Sequence, residues 1–225
     1  MAESLKKIGL IGGTFDPVHN GHLHLALQAK KLFELQKVIF VPAYRSPHKL
    51  ALEPVSCEHR LAMLGLALEN QPDFYIDNLE INKKKVSYTI ETVKDLKLLH
   101  PDWEIYLILG SDTFQTIDTW KQCSHLLDFC SILVGTRLGA ELNMPKSIQL
   151  MFSLDEPIKQ VCSSNFDSEL TVYKKQKINT QVILFSISPL DISSNNIRQR
   201  ISYKEEIKNL LPPSVDNYII KNRLY

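Results

Sequence analysis

The sequence predicts an α/β chain folded as a doubly wound parallel sheet in three layers. Short apolar runs of strand length, at 8–11, 38–42, 104–109, 130–134 and 182–187, alternate with segments of helical spacing. The runs are nearly continuous rather than alternating, as expected of parallel strands buried on both faces. Turn-forming segments follow four of them: Gly12-Gly13, Pro42, Gly110-Ser111-Asp112 and the stretch after Ile187. In such sheets ligands bind beyond the C-terminal ends of the strands. Four candidate motifs therefore converge on one edge of the sheet.

The elements follow in order. The first strand runs into Gly12-Gly13, and a helix begins near His19. The strand at 38–42 is closed by Pro42, and 45–54 reads as a polar loop punctuated by proline. Residues 57–69 have helical periodicity, with Leu61, Met63, Leu64, Leu66, Ala67 and Leu68 making a mostly buried helix. A short strand at 74–76 precedes a helix over 87–99, with Ser87 as its expected N-cap and Ile90 opening the apolar face. After the strands at 104–109 and 130–134, the stretch 140–181 is polar and irregular. The late strand at 182–187 leads to Ser193-Ser194 and a helix, and Pro212-Pro213 opens a last amphipathic helix to Tyr218.

Bulk properties narrow the class. A chain of 225 residues, 44% of them hydrophobic, buries a single core, so 1–225 is expected as one domain with a small helical part at 192–225. The net charge of +1 gives no overall attraction to nucleic acid or to a membrane surface, so an anionic ligand must be held by a local cluster. No apolar run reaches the roughly 18 residues that span a bilayer. The polar start Met1-Ala2-Glu3-Ser4-Leu5-Lys6-Lys7 does not read as a signal peptide. Cys57, Cys123, Cys130 and Cys162 form no Cys-x-x-Cys pair. A reduced, cytoplasmic protein is the expectation.

The stretch Gly12-Gly13-Thr14-Phe15-Asp16-Pro17-Val18-His19-Asn20-Gly21-His22-Leu23 joins a strand to a helix through a glycine turn. Such a turn lets a ligand reach the backbone, and the helix start directs free N–H groups at it. His19 and His22, three apart, are expected on one face of the first helical turn. Backbone donors, a helix N-terminus and two imidazoles suit a polyphosphate. A metal site of His19, His22 and His24 is disfavoured, because no Cys or carboxylate stands beside them at ligand spacing. The second anchor is Asp191-Ile192-Ser193-Ser194-Asn195-Asn196-Ile197-Arg198, where a Ser-Ser pair opens a helix and Arg198 lies one turn past Ser194. An ordinary N-cap with a surface arginine is the plain alternative.

The first motif resembles the His-x-Gly-His signature of the nucleotidyltransferase α/β-phosphodiesterase superfamily, and its longer string resembles the nicotinate-nucleotide adenylyltransferases. Four further segments are similar to motifs of that family: Pro47-His48-Lys49, Ser87-Tyr88-Thr89, Gly110-Ser111-Asp112 and the second anchor, in which Asn195 stands where Thr is usual. The chain departs from the pattern at Lys83 and Lys85, which occupy the places of Arg and Gly, at Lys121, which replaces the usual Tyr, and at Leu138, between Arg137 and Gly139. The resemblance covers most of 7–139 and 185–220 and reads 140–181 as holding an insertion.

The resemblance implies a Rossmann-like fold and transfer of the adenylyl group of ATP to nicotinate mononucleotide, with release of pyrophosphate, in NAD biosynthesis. His19, His22, Lys49 and Arg198 are the implied catalytic residues. ATP would be held by Gly12, Gly13, Thr14, Phe15, His22, Gly110, Asp112, Ser193, Ser194 and Arg198. The mononucleotide would meet Asp16, Lys49, Ser87, Tyr88, Thr89, Trp120 and Arg137, with Trp120 stacked on the pyridine ring. The plain alternatives on residue chemistry are a helix cap for Asp112, a core position for Trp120, a solvated loop lysine for Lys49 and a surface charge for Arg45. The implied cofactor is Mg²⁺, held by ATP phosphates and water rather than by protein ligands. The resemblance also implies that identical chains can assemble. A phosphopantetheine adenylyltransferase should lack the Ser-Tyr-Thr helix start and Trp120. A class I aminoacyl-tRNA synthetase fragment would need a basic tRNA surface. A nucleotide sensor could dispense with His22, Lys49 and Arg198, which this chain has together.

Overall fold

The computed structural model describes residues 5–49, 53–137, 144–152, 158–161, 169–174, 179–188, 190 and 192–225. In chain order the elements are β1 (Lys6–Gly13), α1 (Asn20–Phe33), β2 (Lys37–Pro42), α2 (Cys57–Leu68), β3 (Phe74–Ile76), α3 (Leu79–Lys83), α4 (Thr89–Leu99) and β4 (Trp103–Gly110). There follow α5 (Ser111–Gln115), β5 (Ser131–Arg137), α6 (Lys146–Phe152), β6 (Ile158–Val161), β7 (Glu169–Lys174), β8 (Gln181–Ile187), α7 (Ser194–Ser202) and α8 (Pro213–Asn222). Short 3₁₀ turns lie at Pro47–Lys49, Ile117–Thr119 and Cys123–Asp128.

The sheet order is β3-β2-β1-β4-β5-β8-β7-β6. The six strands from β3 to β8 are parallel, and β7 and β6 add to that edge as antiparallel neighbours. The chain turns back between β1 and β4, the switch point at which doubly wound sheets open a crevice. The register pairs Gly12 with Val41 and Gly110 with Gly135, so the strand ends that carry the motifs lie at one edge.

The apolar strands have both faces covered, and this makes three layers. Val38 and Phe40 of β2 join α1, α2 and α8 in one core through Leu25, Ala26, Met63, Leu64, Val215 and Ile219. Ile39 and Val41, the alternate residues, join α4 in the other core through Ile90, Val93 and Leu96. The stretch 140–181, irregular by sequence, contains α6, β6 and β7. The helix expected from Ser87 begins instead at Thr89. Ser87 does not cap it: the Ser87 Oγ accepts the Tyr44 N–H at 3.1 Å and ties this segment to the end of β2. Among the described residues no helix is long and apolar enough to cross a membrane.

Candidate active site

One cavity of about 550 Å³ opens at the C-terminal ends of the parallel strands. Its floor is bare backbone. Gly12 is the last residue but one of β1 and Gly110 ends the adjacent β4, and a Cβ added at either would meet no protein atom within 4 Å. The space a side chain would fill is the cavity itself, so a ligand can lie directly against the main chain.

From Gly13 the chain turns through Phe15, which holds the left-handed conformation at φ 51° although it carries a side chain. Such a position costs roughly 1–3 kcal/mol and must be held by its surroundings. Phe15 is buried, with its ring on Phe40 at 5.7 Å and edge-on to His22 at 5.1 Å. His19 is not in the first helical turn, as its spacing predicts. It is the extended N-cap of α1, with φ −143° and ψ 168°. From there its backbone N–H donates to His22 Nδ1 at 3.2 Å, and the two rings stack with centroids 3.6 Å apart. An Nδ1 that accepts a hydrogen bond leaves the neutral ring's proton on Nε2. His22 lines the cavity, whereas His19 is buried behind it. His19 therefore fixes the orientation of the His22 ring.

The wall beside this turn comes from α7. Ser193 is the N-cap of α7, and its hydroxyl accepts the Asn196 N–H, so it does not reach the cavity. Ser194 does line it, with its hydroxyl donated to the Pro17 carbonyl at 2.9 Å. Both hydroxyls thus engage backbone, Ser193 at the start of α7 and Ser194 at Pro17. Arg198 donates from Nη1 to the Asp16 carbonyl at 2.6 Å and from Nη2 to the Asn195 side chain. The residue that departs from the family pattern, Asn195, is therefore a support for Arg198. Behind the wall Arg60 is 1% exposed and donates to the Thr14, Ala43 and Val55 carbonyls at 2.8, 2.7 and 3.2 Å. It joins α2 to the turns after β1 and β2 without entering the cavity.

The other arm of the cavity lies between α4, β4 and the segment after α5. Ser87, Tyr88 and Thr89 line it, together with Asp112 and Trp120. Tyr88 holds the N-cap position of α4, and its side chain makes no cap hydrogen bond to the first N–H groups of that helix. Asp112 lies in the first turn of α5, whose N-cap is Gly110, so the capping alternative for Asp112 falls away. Lys121 places its ammonium 4.4 Å from the Tyr88 ring centre and pairs with Glu91 at 2.6 Å, which holds its pKa above the ordinary lysine value. Glu80 of α3 is buried at the cavity wall and accepts the Thr92 hydroxyl. Burial pushes its pKa up from the ordinary 4.5, against the lowering effect of its hydrogen bonds to Thr92 and Ser87. Lys83 stands away from the cavity and pairs with Asp95 of α4.

The structure thus brings Gly12, Gly13, Thr14, Phe15, Asp16, His22, Ser87, Tyr88, Thr89, Gly110, Asp112, Trp120, Ser194 and Arg198 around one space. The side chains of Lys49 and Arg137 lie outside the described part, as do Leu138 and Gly139. Sequence reasoning missed Tyr225 and the cavity-facing place of Arg45, and matched Glu80 to the acidic position of the family without giving it a role. An isolated bridge from Arg45 to Val86, with the Ser87 N–H on the Arg45 carbonyl at 2.9 Å, sets Arg45 there. Among the described residues no group of three or more His, Cys, Asp or Glu could hold a metal ion.

The cytidylyltransferase-like family model matches residues 10–200. A probable nicotinate-nucleotide adenylyltransferase of Citrifermentans bemidjiense is 33% identical over 97% of this chain and 98% of its own. One from Carboxydothermus hydrogenoformans is 37% identical over 97% and 98%. Among solved structures, the Plasmodium falciparum nicotinic acid mononucleotide adenylyltransferase complexed with NaAD superposes with a TM-score of 0.72 at 22% identity, over 98% of this chain and 97% of that one. The same enzyme complexed with APC gives 0.68 at 21%, with the same coverage. The superposition supports the fold, and the sequence relatives place the chain within it. With a nucleotide-sized cavity at the switch point and full-length likeness to these relatives, the chain belongs to the nicotinate-nucleotide adenylyltransferases of the cytidylyltransferase-like family.

Proposed function

We propose that the cavity binds ATP and nicotinate mononucleotide together and joins them. An oxygen of the mononucleotide phosphate attacks the α-phosphorus of ATP. The bond from that phosphorus to the bridging oxygen of the β-phosphate breaks, and pyrophosphate leaves with the electron pair. The products are nicotinate adenine dinucleotide and pyrophosphate. The observation that carries this reading is one continuous cavity. It joins a phosphate-binding end (Gly12, Gly13, His22, Ser194, Arg198) to an arm with a helix start and an indole (Tyr88, Thr89, Trp120).

The attacking phosphate is already an anion, so no general base is needed. Catalysis is positioning and stabilisation of phosphoryl charge. His22 donates from Nε2 to the phosphate region of ATP, with its ring fixed through Nδ1. Arg198 and Lys49 neutralise charge on the departing pyrophosphate. Ser193 and Ser194 support that end by fixing backbone, and Arg137 and Asp16 belong to the acceptor side. The start of α4 takes the pyridine carboxylate, and Trp120 stacks on the ring. Such stacking contributes roughly 1–3 kcal/mol by analogy with bases on aromatic side chains.

The divalent metal is Mg²⁺, which when bound lowers the negative charge of the phosphates. The residues present fit a metal carried in by ATP. Four carboxylates line the cavity, Asp16, Glu53, Glu80 and Asp112; Asp16 accepts from Tyr225 and Glu80 from Thr92, and among the described residues no group of three or more His, Cys, Asp or Glu is placed to hold the ion. A cytoplasmic setting is consistent with free thiols at Cys57, Cys123 and Cys130. The test is pyrophosphate release from ATP and Mg²⁺ with nicotinate mononucleotide, nicotinamide mononucleotide and phosphopantetheine in parallel. Fast release with the first alone is expected. Equal release with the amide would remove the role given to the α4 start, and release with phosphopantetheine alone would overturn the substrate.

A further inference from the structure

The turn before α1, which carries Asp16, is held by a residue distant in sequence. After α8 the backbone enters the left-handed region at Arg223, φ 53°, and the Leu224 N–H donates back to the Ile219 carbonyl at 3.1 Å. This reversal buries Leu224 against the core and sends Tyr225 to the cavity wall. There the Tyr225 hydroxyl donates to Asp16 Oδ1 at 2.6 Å, across 209 positions of sequence.

The other oxygen of that carboxylate, Asp16 Oδ2, is 3.8 Å from Arg198 Nη1, beyond a hydrogen bond. The guanidinium donates instead to the Asp16 backbone carbonyl and to Asn195. Two of its five N–H donors are used in this way, and the remainder can serve an anion in the cavity. At that distance the two charges already pair, and a carboxylate with only 9% of its side chain exposed gains further by closing to hydrogen-bond contact. The pair would occupy the arginine with an internal anion.

We infer that Tyr225 is a positioning residue: its hydroxyl holds Asp16 back from Arg198 and so keeps Arg198 available to the phosphates of ATP. Burial and the adjacent Asp16 carboxylate push the phenol's pKa up, so it remains a donor throughout the working range. Tyr225 touches no reacting atom in this role. The inference rests on the proposed binding of ATP at this cavity, but not on the identity of the acceptor.

The test is the dissociation constant for ATP with Mg²⁺, measured by calorimetry on the full chain, with steady-state constants for both substrates beside it. Tyr225→Phe keeps the ring and removes only the donor. It is expected to weaken ATP binding about tenfold, the scale of one hydrogen bond to a charged group, and to raise KM for ATP with little change in kcat. In an Asp16→Asn background no carboxylate remains to close on Arg198, so adding Tyr225→Phe should then change ATP affinity less than twofold. A change under twofold in the single variant would overturn the inference. An equal loss in both backgrounds would do so too, since it would mean a packing role. A parent chain that binds ATP yet transfers nothing to nicotinate mononucleotide would overturn the substrate reading alone. A parent chain that binds no ATP would overturn both.

Discussion

His22 shows how little of a residue's role its identity determines. Its ring can donate from Nε2 to a ligand because the His19 backbone N–H occupies Nδ1 and leaves the proton on Nε2. Removing the ring removes a donor to phosphoryl charge, so His22→Ala should lower kcat by about 10²–10³-fold, as the loss of one oxyanion-hole donor does. Steady-state rates at saturating substrate, on protein whose thermal midpoint is unchanged, check this. Glu80 gives a different kind of expectation. Its pKa is raised in the folded chain, chiefly by burial, so above the ordinary value near 4.5 the unfolded chain releases the proton first. Stability is therefore full below that value and declines as pH rises through the folded pKa. Glu80→Gln should flatten this part of the profile, gaining stability relative to the parent as pH rises from 4 to 7 in urea titrations. Residues in the glycine-histidine turn were legible because turn chemistry is local. Tyr225 and Arg60 were not, since each takes its meaning from partners set by the tertiary fold: Asp16, and the carbonyls of Thr14 and Ala43.

At the scale of elements, the strands were readable because both their faces are buried, which leaves continuous apolar runs in the sequence. The capping assignments fared worse. Ser87 and His19 look respectively like a helix cap and a helical residue, yet Ser87 binds the Tyr44 N–H and His19 is itself the cap. A hydroxyl near a helix start has several backbone donors in reach, and the tertiary neighbour decides which wins. The two bare strand ends separate folding from binding. Gly110→Val places methyl groups in the cavity rather than in the core, because nothing lies within 4 Å of its Cβ position. The expected outcome is a thermal midpoint within about 2 °C of the parent and a fall in kcat/KM of at least about tenfold. Gly135, paired with Gly110 in the register, is the contrast: its added Cβ would lie 2.5 Å from Leu25 of α1.

For the whole molecule, a net charge of +1 and a substrate carrying several negative charges are reconciled by topology. The switch between β1 and β4 gathers His22 from the first motif, Arg45 from the loop after β2 and Arg198 from α7 on one rim. No segment of the sequence is basic enough to show this by itself. The convergence of strand ends could be foreseen from the order of elements, whereas the antiparallel extension by β7 and β6 could not. The fate of the α-phosphorus tests the proposed chemistry most directly. With ATP labelled there, and with Mg²⁺ and nicotinate mononucleotide, attack at that atom predicts that all transferred label appears in the dinucleotide, with one unlabelled pyrophosphate released for each. Release of single phosphate, with the label retained in ADP, would contradict it.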